Sequence, residues 1–153
     1  INVVSARLAQ TFGPGILDTE NRVFAQFARS AINGTDIVLH TKGKSEGNYC
    51  YTRDMVMALF ILLVRGKSGE AYNVANEACH TSISDMAQMV AERLSGGAIK
   101  LIYDIPESSL TYGYAPDVKM RLLSDKLRKL GWSPQVDLET AYRRTIEYMT
   151  RTI

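Results

Sequence analysis

Asn2-Val3-Val4-Ser5-Ala6-Arg7-Leu8-Ala9-Gln10-Thr11-Phe12-Gly13-Pro14-Gly15 lies at the start of the 153-residue chain. A valine-rich run ending in Gly-Pro-Gly has the composition of a strand that feeds a loop. A strand is therefore expected over Asn2–Leu8, with the glycine loop exposed beyond its carboxyl end. From Asn21 to Asn33 the apolar residues Val23, Phe24, Phe27, Ala28, Ala31 and Ile32 recur at helical spacing, and Gly34 follows as a carboxyl cap. A strand, a loop and an amphipathic helix in that order begin an α/β or α+β assembly, not a bundle or a sandwich.

Further along, Ile37–His40 and Asn48–Tyr51 are short β-prone runs joined by polar Lys42–Gly47, which predicts a small hairpin. Asp54 is expected to cap a helix through Val64, with Gly66 as its stop. Met55–Val64 is apolar all round, so this helix should be buried. The run is about half of the roughly 20 residues a bilayer-crossing helix needs. Ala71–Ala75 and Ile99–Tyr103 read as strands. Ser82-Ile83-Ser84-Asp85 resembles a capping box that opens a helix to Leu94. After an irregular stretch from Asp104 to Asp117, helices are expected over Ser124–Leu130 and Leu138–Met149, with Trp132 as a packing anchor between them. Met55, Met57, Met86 and Met89 are assigned to the core. No internal repeat, low-complexity tract or linker is present.

A hydrophobic fraction of 46% suffices for one core, and the 18 basic and 16 acidic residues leave a net charge of only +2. Charges of both signs are spread along the chain, which gives no field favouring nucleic acid or a membrane surface. Cys50 and Cys79 lack the spacing of a zinc or redox motif, and His40 and His80 join no ligand cluster. A reduced, cytoplasmic setting and no metal are expected. No signal-peptide pattern stands at the amino end, and the first residue is Ile1, so a segment of a longer chain is expected.

Four segments in order, Arg7–Gly15, Tyr51-Thr52-Arg53-Asp54, Ala71-Tyr72-Asn73-Val74-Ala75 and Leu130-Gly131-Trp132-Ser133-Pro134, resemble the NAD-dependent epimerase/dehydratase family of extended short-chain dehydrogenases. Leu138-Glu139 and Thr145-Ile146-Glu147-Tyr148 extend the resemblance over nearly the whole chain. It implies the late strands of a Rossmann-type sheet plus the smaller mixed α/β region that closes over a nucleotide sugar. On that reading residues 1–153 are one carboxy-terminal, substrate-binding portion, and the amino-terminal half that holds NAD or NADP is absent. The family's homodimers form through that half. Its chemistry uses a Tyr-x-x-x-Lys pair as general base, yet none of the eight tyrosines has a lysine four positions on. No Gly-x-Gly-x-x-Gly or Gly-x-x-Gly-x-x-Gly turn is present either. The chain alone is expected to be inactive and not to bind the dinucleotide tightly.

The resemblance places Arg7, Gln10 and the loop of Gly13, Pro14 and Gly15 beside the nicotinamide and the sugar-nucleotide phosphates. Many relatives carry asparagine where Gln10 stands, and the other reading of Arg7 is a solvated strand-end charge. Lys119 and Arg121 follow Pro116 in a stretch that resembles the nucleotide-proximal segment; either neutralises a phosphate or is a solvated surface charge. The arginine that clamps a phosphate in many relatives aligns with Gly47, while Arg53 reads as a surface charge. Tyr112 and Tyr114 read as packing residues. Three functions stay open: the nucleotide-sugar portion of an enzyme acting by transient oxidation to a keto-sugar, a non-catalytic nucleotide- or partner-binding relative, and a complete small interaction domain.

Overall fold

β1 (Ser5–Leu8) and β5 (Ala71–Val74) pair in parallel, with Ser5 opposite Ala71 and Leu8 opposite Val74. The structure is a computed structural model that describes residues 1–106 and 116–152; Tyr112 and Tyr114 fall outside them. Past Ala9 the chain enters β2 (Gln10–Phe12), which pairs in parallel with β4 (Glu46–Tyr51). β4 pairs antiparallel with β6 (Asn76–Ser82). β3 (Ile37–Leu39) joins β7 (Leu101–Tyr103) in parallel. Parallel pairs linked through helices are the mark of an α/β architecture.

The hairpin expected between Ile37–His40 and Asn48–Tyr51 does not form, because β3 and β4 lie in different sheets. Their connector is drawn instead onto the start of the helix that begins at Ile83. Gly43 adopts φ 62° and its carbonyl accepts the Ser84 amide at 3.0 Å, while the Ser45 carbonyl accepts the Ile83 amide at 3.0 Å.

α1 (Val23–Asn33) follows its periodicity, burying Phe24, Ala25, Phe27 and Ala28, and Gly34 closes it at φ 65°. Phe12 stacks on Phe24 and meets Tyr142, each at 4.9 Å between ring centroids, in the larger of two apolar clusters. α3 (Ile83–Met89) begins with the expected Ser82 cap. The Ser82 hydroxyl accepts the Asp85 amide at 3.0 Å and donates to the Asp85 carboxylate at 2.7 Å. The helix then widens into a π-helical turn, Val90–Leu94. Ser82→Ala should lower stability by about 1 kcal/mol, read as a shifted urea midpoint at constant slope.

α2 (Thr52–Arg65) departs from expectation twice. Asp54 lies inside the first turn and does not cap its own helix. It is 2% exposed, and its Oδ2 accepts the amides of Gln135 and Val136, each at 2.9 Å. The Trp132 indole donates to the Asp54 carbonyl at 2.9 Å. Trp132 thus joins α4 (Asp125–Arg128), through Leu127, to α2 and β5 in the second cluster, with Ala58, Leu62, Tyr72 and Val74. Nor is α2 buried all round. Ala58 and Leu62 are covered, but Met57, Phe60, Leu63 and Val64 are exposed. One stripe faces the strands and, among the described residues, nothing covers the opposite one. α5 (Leu138–Thr152) ends the described chain; its entry is fixed by Asp137, which accepts from the Thr140 amide and hydroxyl.

Candidate functional site

Two clefts flank β2 and the start of α1. The larger, about 580 Å³, is walled by Gln10 of β2, Glu46, Gly47 and Tyr49 of β4, the beginning of α1 and the segment from Pro116 to Met120. That segment is pinned along the first residue of β4. The Glu46 amide donates to the Val118 carbonyl at 2.7 Å, and the Met120 amide returns to the Glu46 carbonyl at 3.1 Å. Farther on, the Leu122 amide donates to the side-chain oxygen of buried Asn48 at 2.7 Å.

Gln10 presents a buried side-chain oxygen with no hydrogen-bond partner among the described residues. An unpaired buried acceptor costs free energy, so this atom calls for a donor such as a hydroxyl or an amide. Beside it, burial pushes the Tyr49 hydroxyl up to about 12, which keeps it protonated and able to donate. Lys119 stands at the rim with its ammonium 3.6 Å from one Glu46 oxygen, and the other Glu46 oxygen lies 3.8 Å from His80 Nε2. Space is open where a Gly47 side chain would project. The cleft therefore has no cation at the slot the resemblance gives to the clamping arginine. Its lining carboxylates, Glu46 and Asp117, were not legible as site residues, because only the folded chain brings residue 117 beside β4.

The second cleft, about 260 Å³, is formed by the Gly13, Pro14 and Gly15 loop with Glu20, Arg22 and Thr52. Glu20 accepts from the Arg22 amide at 2.9 Å and pairs with its guanidinium at 2.5 Å. These hydrogen bonds hold its carboxyl at about 2. A depressed carboxyl stabilises the fold above its unfolded value, near 4.5, and that contribution disappears as pH falls through the folded value. A carboxyl-detected NMR titration should place the Glu20 midpoint near 2.

Arg7 and Arg121 are exposed and line neither cleft. The expected set is therefore divided: Gln10 lines the larger cleft, Lys119 does not line it but pairs with Glu46, which does, the glycine loop lines the smaller, and the two arginines line neither. Among the described residues no group of three or more His, Cys, Asp or Glu side chains could hold a metal, and no helix is long and apolar enough to cross a membrane. Cys50 and Cys79 are free and buried, and burial raises both thiols to about 12.

A dinucleotide is held by the free amides of a glycine turn that opens a helix. The loop cleft does not fit it. A Cβ on Gly13 would meet Thr52 Oγ1 at 2.8 Å, so this glycine is spent on close packing, and the Arg22 amide at the mouth of α1 is taken by a carboxylate. No chemical step is assigned through the dinucleotide in this chain.

Parallel strands, their helical crossovers and two clefts at the end of β2 define a Rossmann-type α/β protein. The sequence profile of the NAD dependent epimerase/dehydratase family matches residues 1–75, and over that first part the chain is similar to the family. It is 25% identical to the dTDP-D-glucose 4,6-dehydratase of Mus musculus over 95% of this chain and 40% of that protein. It is 28% identical to UDP-glucuronic acid decarboxylase 1 of Xenopus tropicalis over 100% of this chain and 34% of that one. The solved UDP-glucose 4-epimerase of Thermotoga maritima, with UDP-glucose, superposes with a TM-score of 0.82 at 25% identity, covering 99% of this chain and 47% of the other. The chain thus spans less than half the length of these relatives.

Proposed function

We propose that residues 1–153 form the nucleotide-sugar-binding portion of an NAD- or NADP-dependent epimerase/dehydratase. The enzyme's transient oxidation to a keto-sugar would belong to a longer, homodimeric protein that supplies the dinucleotide half. The observation that carries this reading is the unpartnered Gln10 oxygen, buried in the wall of a cleft with Lys119 at its rim. A sugar hydroxyl or a base amide supplies the missing donor, and the lysine offsets part of a phosphate's charge. The similarity to proteins named for UDP- and dTDP-sugars supports the ligand class. The glycine loop would approach the same ligand from the second cleft, whereas Arg7 and Arg121 have no assigned contact.

Titrating the labelled chain with UDP-glucose and dTDP-glucose should shift the Gln10 side-chain amide and the Gly47 amide, and Gln10→Leu should weaken binding by about tenfold. NAD should bind no tighter than millimolar, and no sugar should turn over. Micromolar NAD affinity, conversion by the chain alone, or a cleft silent to both sugars would overturn the reading. The open slot at Gly47 favours one alternative, a non-catalytic nucleotide binder. In that case uridine alone should bind as well as UDP-glucose.

A further inference from the structure

β3 and β7 end side by side, with Leu39 opposite Tyr103, and the residues just past them tie His40 down. The Asp104 amide donates to the Leu39 carbonyl at 3.0 Å, which carries the ladder one residue beyond β7. The Asp104 carbonyl then stands 3.0 Å from His40 Nδ1, and one oxygen of its carboxylate lies 3.4 Å from the same nitrogen. A carbonyl can only accept, so a proton sits on Nδ1 and the neutral ring keeps its lone pair on Nε2. His40 also lines the Gln10 cleft, where its side chain is half-exposed.

The cleft is rich in acceptors. The Gln10 oxygen is buried without a donor, and Glu46 and Asp117 add carboxylates to the lining. Lys119 and His80 both pair with Glu46, and α1 contributes only Val23, Gln26 and Phe27, none of them charged. A diphosphate inside the cleft would therefore meet two carboxylates and, among the described residues that line it, no cation other than His40 in its protonated form. A hydroxyl or an imide N–H meets the opposite situation, acceptors short of donors.

We propose that His40, oriented by Asp104, is a specificity-determining residue of this cleft. Its neutral Nε2 accepts a hydrogen bond from an uncharged donor of the ligand, a hydroxyl or an imide N–H, and the diphosphate stays at the rim beside Lys119. The inference rests on the reading of the cleft as a nucleotide-sugar site and adds which chemistry of the ligand enters it. Asp104 acts through His40 and is a positioning residue. Protonation of His40 puts a hydrogen on Nε2 and sets donor against donor, so binding is present at higher pH and lost as pH falls through the range in which histidine titrates. A histidine that contacted the phosphates would act with the opposite sign.

UDP-glucose is the probe, because its diphosphate diester keeps one charge state over the range in which histidine titrates. Its affinity for the 153-residue chain, followed at the Gln10 side-chain amide, should fall at least about fivefold between about pH 8 and about pH 5.5. His40→Gln keeps an uncharged acceptor and should bind at both pH values without that step. His40→Leu should bind about tenfold more weakly at the higher pH and also show no step, with unchanged circular dichroism. Nitrogen-15 correlation spectra of the free chain at the higher pH should show the His40 proton on Nδ1. Uridine, N3-methyluridine and methyl glucoside, as further arms, assign the donor to the imide, the ribose or the hexose. Tighter binding at acid pH, a step that survives in His40→Gln and so belongs to His80, undiminished affinity in His40→Leu, or a proton on Nε2 would each overturn the proposal. A cleft silent to UDP-glucose at both pH values fails the nucleotide-sugar reading itself, whereas binding with no pH step fails this inference alone.

Discussion

Asp54→Ala should remove about 3–5 kcal/mol of stability, a large fraction of what a domain of this size possesses. The carboxylate is 2% exposed, and one of its oxygens receives both the Gln135 and Val136 amides at 2.9 Å. Alanine leaves the buried Val136 amide and the part-buried Gln135 amide with no protein acceptor, and a buried donor so left carries a desolvation penalty of roughly 1–3 kcal/mol. Its one ion-pair partner among the described residues, Arg53, is 3.8 Å away and exposed, so most of the effect belongs to the amides and little to an ion pair. Asp54→Asn keeps an acceptor oxygen and should retain most of the stability. Urea unfolding of the three proteins at equal slope separates these cases, and an alanine loss below about 1 kcal/mol would mean that the loop re-forms its bonds with water.

Trp132→Ala should cost a similar amount, about 3–5 kcal/mol, for a different reason. The ring is 2% exposed and fills the space between Leu127, Ala58 and Leu62, so truncation opens a cavity that these rigid elements cannot collapse. Its indole also donates to the Asp54 carbonyl at 2.9 Å, so the two sites form one joint. The double variant should lose less than the sum of the single losses, by about 1 kcal/mol or more. Strict additivity would separate the packing role of the indole from the carboxylate's role.

What could be read in advance was local. α1 and the Ser82 cap are stated by residues within one turn of each other, and both form as their spacing demands. The roles of Asp54 and Trp132 depend on partners about 80 positions away, and no local pattern distinguishes an aspartate that caps its own helix from one that receives a distant loop. The same limit produced the absent hairpin: β propensity marked both strands but not their partners, and the neighbours that formed came from β7 and β2. Apolar residues all round α2 implied burial, but composition does not say whether a covering surface is present. At the larger cleft, Gln10 and Lys119 were legible through family resemblance. Glu46 and Asp117 were not, because they meet only where the segment after Pro116 runs along β4.

The joint at Asp54 also governs when the chain can finish folding. Its carboxylate waits for amides 81 and 82 positions downstream, and the β1–β5 and β3–β7 pairs close loops of comparable length. Contacts so far apart in sequence form slowly, because the entropy of closing each loop is spent before the bonds return it. During synthesis α2 emerges long before residues 132–136, so its apolar stripe and its charged first turn are formed before Trp132 is available to pack on them. Productive folding therefore waits until residues 132–136 have left the ribosome, and a stall in translation before that point leaves the Asp54 joint unmade.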